Sequence, residues 1–487
     1  MIFNSLQYAL FLPVVFILYW LLGTQRRQLQ NVLLLLASYF FYGCWDWRFL
    51  FLLAFSTFLD YFTGIKIYQG KTNKNKKIWL IISVGINLGF LATFKYYNFF
   101  VTSFADFIQN FGLNANISTL KIILPVGISF YTFHGLSYVF DIYNGRVRPT
   151  RNWVDYTLFV SFFPLLVAGP IERATHLLPQ VEKGRVFDYH KAVDGLRQIL
   201  WGLFKKVVIA DSCAAYANQI FALDSTYSGL TLLLGAVLFA FQIYGDFSGY
   251  SDIALGTARL FGFELLQNFK YPYFSRSIAE FWRRWHISLS SWFKDYLYIP
   301  LGGSSGGTFY KIRNTFIIFL VSGFWHGANW TFIVWGLLNA LFIMPSIIFN
   351  TNRNDLEIVA KGRVLPSFRE LISILITFLL TSFAWIFFRA ESITQAFDIV
   401  AKMLVGLTNK SGYGDTYYML QGMVLNGKII VLLLFIIVEW LGREQNYAIE
   451  KLFLGYPKII SWSFYYVLVI FIALNSGSEQ PFIYFQF

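Results

Sequence analysis

Long apolar runs recur along nearly the whole chain. In the first part of the sequence they lie at 5–22, 30–43, 49–65, 78–94 and 122–141. Similar runs return near the end at 315–349, 371–388, 428–440 and 459–474. About 20 consecutive apolar residues cross a bilayer as a helix, because a helix satisfies its own backbone hydrogen bonds. The pattern predicts an all-α polytopic membrane protein.

The middle of the chain has a different pattern. Its apolar runs are short, and Pro and Gly interrupt them: 156–169, 199–210 and 230–244. Irregular backbone at membrane depth is tolerated only where protein buries it or where it lines a cavity. We therefore expect re-entrant or half-spanning helices around an internal site. Interfacial helices lying on the membrane are the alternative.

This division gives one membrane domain, 1–475, with three parts. They are N-terminal spans at 1–150, a re-entrant or interfacial core at 151–310 and C-terminal spans at 311–475. Lysine and arginine concentrate in loops between the runs, which the positive-inside rule places in the cytoplasm. The last span then exits outward and leaves an extracytoplasmic tail, 476–487. The N-terminus lacks a basic region before its apolar run, so we expect a retained first span.

Composition agrees with a membrane location. Hydrophobic residues make up 56% of the 487 positions and charged residues only 13%, whereas soluble domains carry about 25% charged residues. The net charge of +13 belongs to cytoplasmic loops and not to a nucleic-acid surface, because no basic patch with interleaved aromatics lies outside the apolar runs. Cys44 and Cys213 form neither a disulfide framework nor a zinc site.

His326 is the strongest candidate for chemistry. It lies between long apolar runs, where ionisable side chains are costly and usually functional. Histidine is also the side chain best suited to moving protons near neutral pH. The alternative is a histidine satisfied by a neighbouring helix. Gly323 and Gly327 would let two helices approach closely or would open space for a substrate beside the imidazole.

A second polar region, 268–303, predicts an amphipathic helix at the cytoplasmic interface. An acidic residue and two basic residues fall at i, i+3 and i+4: Glu280, Arg283 and Arg284. An aromatic and apolar stripe accompanies them: Trp282, Trp285 and Leu289. The arginines would face headgroups or an anionic ligand, or the helix would serve only as an anchor. His286 ends the pattern and is either structural or catalytic.

Further polar side chains stand in apolar surroundings. Asp246, Ser248 and Asp252 follow an apolar run, and carboxylates at such depth need partners. They could orient a histidine or pair with an arginine of 283–284. His134 also has an apolar context. The five histidines are scattered without metal-ligand spacing, so we expect no metal site.

Taken together, these stretches resemble the membrane-bound O-acyltransferase family, in particular its bacterial branch that acetylates cell-envelope polysaccharides. The matching motifs are Leu124–Phe133, Ala168–Pro170, Tyr244–Asp252, Glu280–Leu289 and Trp325–Gly327. The resemblance implies a ring of transmembrane and re-entrant helices around a central tunnel, in the cytoplasmic membrane of a bacterium and surrounded by lipid. It also implies that His326 and His286 are the catalytic histidines.

The resemblance implies several further roles. Residues lining or supporting the tunnel would be Asp246, Ser248, Asp252, Arg283, Arg284, Trp325 and His134. The donor would be acetyl-CoA or another acyl thioester from the cytoplasm, acting as a substrate, with no permanently bound cofactor. His326 as general base would deprotonate an acceptor hydroxyl on an extracytoplasmic polysaccharide such as alginate or peptidoglycan.

The tail, 482–487, resembles a terminal motif of envelope acyltransferase systems. Tyr484 would then relay the acyl group to a serine of a periplasmic partner of the SGNH or serine-esterase type. The alternative is an aromatic anchor at the interface. Two other functions remain at this point: transfer of D-alanyl or another acyl group from a carrier protein to teichoic acid, and a membrane transporter without catalysis.

Overall fold

A computed structural model describes residues 1–113, 118–121, 123–167, 169–224, 226–406, 413–453, 455–476 and 480–483. The described residues form helices and connecting segments, without a strand. They divide into two compact units, Met1–Ala192 with Thr257–Leu266 and Val193–Gly256 with Gln267–Phe487.

Among its described residues, the first unit contains nine helices from the N-terminal part of the chain. They are α1 Leu6–Leu21, α2 Arg27–Gly43, α3 Phe49–Gln69, α4 Asn73–Leu91, α5 Tyr97–Gln109, α6 Ile128–Tyr143, α7 Trp153–Ser161, α8 Phe163–Leu166 and α9 Ala174–Glu182. A π-helical turn at Ala92–Tyr96 joins α4 to α5. The chain breaks between α7 and α8 where Pro164 occupies the first turn of α8, a position that tolerates its missing N–H.

Buried polar groups join the helices of this unit. The Asp60 carboxylate accepts hydrogen bonds from Ser83 Oγ at 2.6 Å and Asn87 Nδ2 at 2.8 Å. Asp155 pairs with Arg27 at 2.9 Å. Such groups are costly to bury unless they are hydrogen-bonded, so these contacts hold particular helix pairs together.

The second unit contains the remaining helices. They are α10 Tyr189–Leu203, which begins in the first unit, α11 Asp211–Ala222, α12 Gly229–Leu260, which ends there, α13 Ile278–Arg284, α14 Ile287–Phe293, α15 Thr308–His326, α16 Trp330–Ile348, α17 Phe368–Arg389, α18 Ile393–Gly406, α19 Tyr413–Leu425, α20 Lys428–Leu441 and α21 Lys458–Asn475. A seven-residue π-helix, Phe204–Ala210, joins α10 to α11. A second, Lys294–Tyr298, follows α14.

The predicted polytopic all-α class is confirmed. Six helical segments of the described chain are long and apolar enough to cross a membrane: Phe49–Gln69, Asn73–Gln109, Gly229–Leu260, Trp330–Ile348, Phe368–Arg389 and Lys458–Asn475. The pair α19 and α20 passes the same test together but bends by 74° at its break. A chain with this many apolar helices is a multi-pass membrane protein.

Two predicted elements differ from the structure. The run 230–244 is not a short broken segment, because α12 continues for 32 residues through the polar stretch that follows the run. The run 315–349 is two helices, since the chain leaves helical geometry after His326 and re-enters it at Trp330. Both differences bear directly on the candidate site.

Candidate active site

The helices α15 and α16 form a tight antiparallel hairpin that ends beside His326. A Cβ atom on Gly323 would lie 2.3 Å from the carbonyl oxygen of Phe332. A Cβ atom on Gly336 would lie 2.3 Å from the carbonyl oxygen of Phe319. The two backbones are therefore in direct contact, as the small residues predicted. This contact fixes the end of α15 and the histidine at its last position.

Aromatic rings enclose the His326 imidazole, which is 3% exposed. Ring centroids lie 4.9 Å away at Trp325, 5.1 Å at Trp335 and 5.4 Å at Phe388. The rings limit the rotation of the imidazole and exclude water from it. His326 is also the C-terminal residue of α15. The carbonyl end of a helix carries partial negative charge, which stabilises a histidine that takes up a proton.

His286 lies at a break between α13 and α14. Its backbone has φ 45° and ψ 53°, a left-handed conformation that is strained for a side chain other than glycine. Asn268 stabilises this break with its backbone carbonyl and its side chain. Its carbonyl oxygen accepts the Ile287 N–H at 2.9 Å, and its Oδ1 accepts the Ser288 hydroxyl at 3.0 Å. The single amphipathic helix predicted over this stretch is therefore wrong.

The break turns the His286 ring into the interior, where it is 1% exposed. Its centroid lies 4.7 Å from Phe247, 6.1 Å from Trp325 and 6.4 Å from His326. Neither ring nitrogen has a hydrogen-bond partner among the described residues. Burial lowers the pKa of His286 to about 3, so the ring is neutral at physiological pH. The structure thus brings the two histidines into one buried aromatic site.

Glycines on α12 let α10 and the π-helix approach its backbone. A Cβ atom on Gly249 would lie 2.7 Å from the carbonyl oxygen of Gly202. One on Gly256 would lie 2.4 Å from that of Gly195. These glycines therefore serve helix packing and do not end the helix. Two carboxylates of this helix, Asp246 and Asp252, face lysines of the π-helix, Phe204–Ala210.

That packing supplies the partners of both aspartates. Lys206 Nζ lies 2.9 Å from Asp246 Oδ1 and 2.8 Å from Asp211 Oδ1. Lys205 Nζ lies 2.5 Å from Asp252 Oδ2. Pairing of these aspartates with the arginines of α13, one of two alternatives from the sequence, is wrong. The two lysines are consecutive, and the π-helical geometry directs each to a different carboxylate.

Lys205, Lys206 and Asp211 were missed in the sequence. The two lysines lie inside the run 199–210, whose average character is apolar. Two adjacent charges in such a run were the signal, because unpaired charges at membrane depth are costly. Glu439 was missed for the same reason. Its carboxylate accepts the Tyr244 hydroxyl at 2.5 Å and the Trp201 indole N–H at 3.1 Å.

A narrow cavity with a polar lining lies beside the Lys205–Asp252 pair. Its walls include Lys205, Tyr244, Ser248, Asp252, Phe269, Tyr271 and Glu439. Two of its buried hydroxyls, those of Ser248 and Tyr271, have no hydrogen-bond partner in the described part of the chain. The Phe269 ring also lies 6.5 Å from His286. The space is about that of one water molecule, so the cavity can hold a single small polar group on the side of Phe269 away from the interior of the aromatic site.

The last described residues of the chain contact the other ion pair, Lys206 with Asp246. The Ile483 N–H donates to Asp246 Oδ2 at 2.6 Å, and Lys206 Nζ donates to the Gln480 carbonyl oxygen at 2.9 Å. The Phe482 ring lies 4.2 Å from that of Tyr250. Tyr484, the predicted acyl relay, lies outside the described residues.

The arginines of α13 bind protein groups. Arg284 is buried and pairs with Glu280 at 2.5 Å, so the prediction that it faces headgroups or an anionic ligand is wrong. Arg283 is exposed and donates to the carbonyl oxygens of Asn352 at 2.7 Å and Asp355 at 2.6 Å. Arg283 therefore stabilises the connection between α16 and α17, and Arg284 stabilises α13 itself.

His134 belongs to the first unit, where it is fully buried in α6. Its ring centroid lies 6.2 Å from that of Phe159. The adjacent Gly135 packs on Asp60, whose Oδ2 would lie 1.9 Å from an added Cβ atom. Its predicted supporting role stays a prediction. Across the described residues, no group of three or more His, Cys, Asp or Glu side chains could hold a metal ion.

Comparison with known proteins bears on the whole chain. The family model for the membrane-bound O-acyltransferase family matches residues 148–388, a range that includes both histidines of the site. A probable alginate O-acetylase of Pseudomonas aeruginosa is 42% identical over 83% of this chain and 75% of the relative. One from Pseudomonas putida is 37% identical over the full length of both. A peptidoglycan O-acetyltransferase of Helicobacter pylori is 33% identical over 98% of this chain and 95% of the relative.

Proposed function

Because the chain belongs to the membrane-bound O-acyltransferase family and is an O-acyltransferase, we propose that it transfers acetyl groups to a cell-envelope polysaccharide. The donor is a cytoplasmic acyl thioester, and the acceptor is an extracytoplasmic glycan of the alginate or peptidoglycan type. The observation that carries this proposal is the pair His286 and His326, whose ring centroids lie 6.4 Å apart in a buried aromatic site. The names of the nearly full-length relatives support the acetyl group and the acceptor class.

His326 acts as the general base. One imidazole nitrogen takes the proton of the acceptor hydroxyl, and the resulting oxygen nucleophile attacks the carbonyl carbon of the thioester. The carbon–sulfur bond then breaks, and the imidazolium returns the proton to the leaving thiolate. Its place at the C-terminal end of α15 supports this role, because that end stabilises the transient positive charge. The surrounding rings limit hydrolysis of the thioester by excluding water.

His286 binds and orients the reacting groups. A neutral imidazole offers one donor and one acceptor, and its two ring nitrogens have no partner among the described residues. Its donor can polarise the thioester carbonyl or hold the acceptor oxygen toward His326. The strained backbone at this residue supports a functional role, because such strain persists where the surroundings enforce it.

Two polar places in the second unit, one at Asp252 and one at Asp246, suit two different substrates. The cavity beside Asp252 receives a small polar group of the donor, with Ser248 and Tyr271 as hydrogen-bonding groups. The C-terminal segment lies at Asp246, on the other side of Phe247 along α12. Trp325 forms part of the wall between the two histidines. The predicted topology assigns the cavity side to the cytoplasm and the tail to the extracytoplasmic face.

Tyr484 relays the acetyl group in this proposal. Its phenolic oxygen is the first acceptor, which gives an acetyl-tyrosine ester, and a serine of a periplasmic SGNH-type partner then takes the acetyl group. The described residues just before it support this, since Phe482 is 6.2 Å from Phe247 and Phe247 is 4.7 Å from His286. Transfer of D-alanine to teichoic acid is the less favoured alternative, because no observation in the site selects an amino-acyl group.

The test of the function is polymer acetylation in a strain that lacks the native gene. Complementation with His326→Ala should lower ester-linked acetate in the envelope polymer by about 10²–10⁴-fold, the usual contribution of a general base. His190→Ala is the matched control, because this histidine is exposed. Normal acetylation by His326→Ala, with the protein present in the membrane at wild-type amounts, would refute the assignment.

The relay needs its own test. Mass spectrometry of C-terminal peptides from cells without the periplasmic partner should find an acetyl ester on Tyr484. Tyr484→Phe is the matched variant, since it keeps the aromatic ring and removes the nucleophile. Full polymer acetylation by Tyr484→Phe would show that the acetyl group leaves without this step.

A further inference from the structure

Lys206 lies at the centre of a buried ionic cluster that the transfer chemistry does not use. Its ammonium contacts Asp211 and Asp246, and the three side chains are between 1% and 4% exposed. Burying three charges is costly unless further hydrogen bonds satisfy them. The cluster therefore needs further hydrogen-bonding partners.

The C-terminal segment completes it with backbone atoms. Lys206 donates to the carbonyl oxygen of Gln480 at 2.9 Å. Asp246 accepts the N–H of Ile483 at 2.6 Å. The cluster therefore binds one backbone acceptor and one backbone donor, three residues apart. Because both contacts involve the main chain, they fix the path of the backbone, while the buried side chains of Phe482 and Ile483 set its register.

Side chains of the segment continue the contact toward the histidines. Phe482 and Ile483 are each 1% exposed. The Phe482 ring packs on Tyr250 with a centroid distance of 4.2 Å. Phe247, which contacts His286, lies 6.2 Å from the same ring. The described segment thus ends at Ile483, beside the aromatic wall that contacts His286.

We infer that the ionic cluster of Lys206, Asp211 and Asp246 anchors the C-terminal segment in one register beside His286. Lys206 and Asp246 are positioning residues, because they act on the terminus and not on the reacting atoms. This inference rests on the proposed relay for its purpose, while the anchoring itself is a physical property that can be measured without acetyl transfer.

The experiment measures exposure of the segment. In full-length protein with Cys44→Ser and Cys213→Ala, the substitution Ile483→Cys places a thiol at a buried position. A membrane-impermeant maleimide should label it slowly. Adding Lys206→Met should raise the labelling rate about tenfold or more, because charge-assisted hydrogen bonds are the strong class. Asp246→Asn should raise it less, since the amide oxygen still accepts the Ile483 N–H.

Lys205→Met is the matched control. It removes the adjacent buried lysine, which pairs with Asp252 and makes no contact with the segment among the described residues. Labelling in this variant should stay at the parent rate. Equal labelling rates in the Lys206→Met and Lys205→Met proteins would overturn the anchor. Lys206→Arg should restore slow labelling if a cation is what the site requires.

Failure of the anchor and failure of the relay give different results. If the relay is wrong, Tyr484→Phe keeps polymer acetylation while labelling at position 483 still depends on Lys206. If the anchor is wrong, labelling is independent of Lys206 whatever Tyr484→Phe does. If both are right, Lys206→Met also lowers the yield of acetyl-tyrosine, while Lys205→Met leaves the labelling rate unchanged.

Discussion

The enclosure around His326 is made of aromatic rings, whereas the cluster around Lys206 consists of charged side chains. Both regions are almost fully buried. The enclosure borders His286, and Asp246 of the cluster directly precedes Phe247 in α12. The enclosure surrounds the His326 imidazole with rings and limits its rotation. The cluster holds a segment of backbone by charge. Burial therefore serves two purposes in neighbouring parts of the same unit.

The difference concerns what each region tolerates. An apolar enclosure depends on shape, so small displacements of its helices are costly. An ionic cluster depends on complementary charge and on complete hydrogen bonding, so loss of one partner leaves the others unsatisfied. The ring of Phe247 links the two regions, since it contacts both His286 and Phe482 of the segment that the cluster binds.

Among substitutions that disturb packing and leave the histidines in place, the largest effect should come from Gly323→Ala in the enclosure. The new methyl group would meet the Phe332 carbonyl oxygen at 2.3 Å, so α15 and α16 must separate. Such overpacking costs about 1–3 kcal/mol of stability, and a displacement of a catalytic group by about 1 Å can cost roughly 100-fold in rate. We expect polymer acetylation to fall by that order, measured in the complemented deletion strain.

Gly89→Ala is the control for this substitution. An added Cβ atom there meets no atom within 4 Å, so acetylation and thermal stability should match the parent. If Gly323→Ala acetylates normally, the contact between α15 and α16 does not position His326. The enclosure would then not be the shape-dependent region of the pair.

The presence of two buried histidines in the enclosure could be predicted from sequence, because it depends on residue type in an apolar context. His326 and His286 stand out as ionisable groups in apolar surroundings, and both lie in the buried site. Gly323 also predicted the close helix approach correctly. These inferences need only local sequence and the cost of burying polar groups.

The cluster could not be predicted, because its partners come from distant parts of the chain. Lys206, Asp246 and Gln480 are far apart in sequence, and the apolar average of 199–210 concealed the lysines. The polar stretch after Tyr244 suggested a broken segment, whereas α12 is continuous and its carboxylates pair with Lys205 and Lys206. The left-handed backbone at His286 likewise depends on Asn268, a tertiary contact.

A double-mutant cycle tests whether the two regions are coupled through Phe247. Phe247→Leu removes the ring that contacts both His286 and Phe482. Aromatic pairs contribute about 0.5–1.5 kcal/mol, so we expect roughly a tenfold loss of acetylation. Phe482→Leu should give a similar loss, and the double variant should lose less than the two losses combined, because residues in contact are not additive.

Phe269→Leu supplies the comparison for this cycle. Its ring lies 6.5 Å from His286 and contacts the cavity side. Its effect should add to that of Phe482→Leu without coupling. Additive behaviour in the Phe247 cycle as well would mean that the enclosure and the cluster act independently.

The smallest effect concerns pH and the neutral state of His286. Burial lowers the pKa of His286 from its ordinary value of 6.5 to about 3. Between these pH values the unfolded chain binds a proton at this position and the folded chain does not, so stability falls as pH is lowered from 6.5 toward 3. Above pH 6.5 this histidine is unprotonated in both the folded and the unfolded state, so it contributes no pH dependence to stability.

We therefore expect the melting temperature of the detergent-solubilised protein to fall between pH 7.5 and pH 5, and to fall less in His286→Gln. His190→Gln, at an exposed position, should keep the full decline of the parent. An equal decline in the parent and His286→Gln would mean that this ring is already accessible to protons, and a dry enclosure would then be limited to His326 and its three neighbouring rings. A smaller decline in His286→Gln than in the parent would mean that both imidazoles lie in a region without water, next to the charged Lys206 cluster.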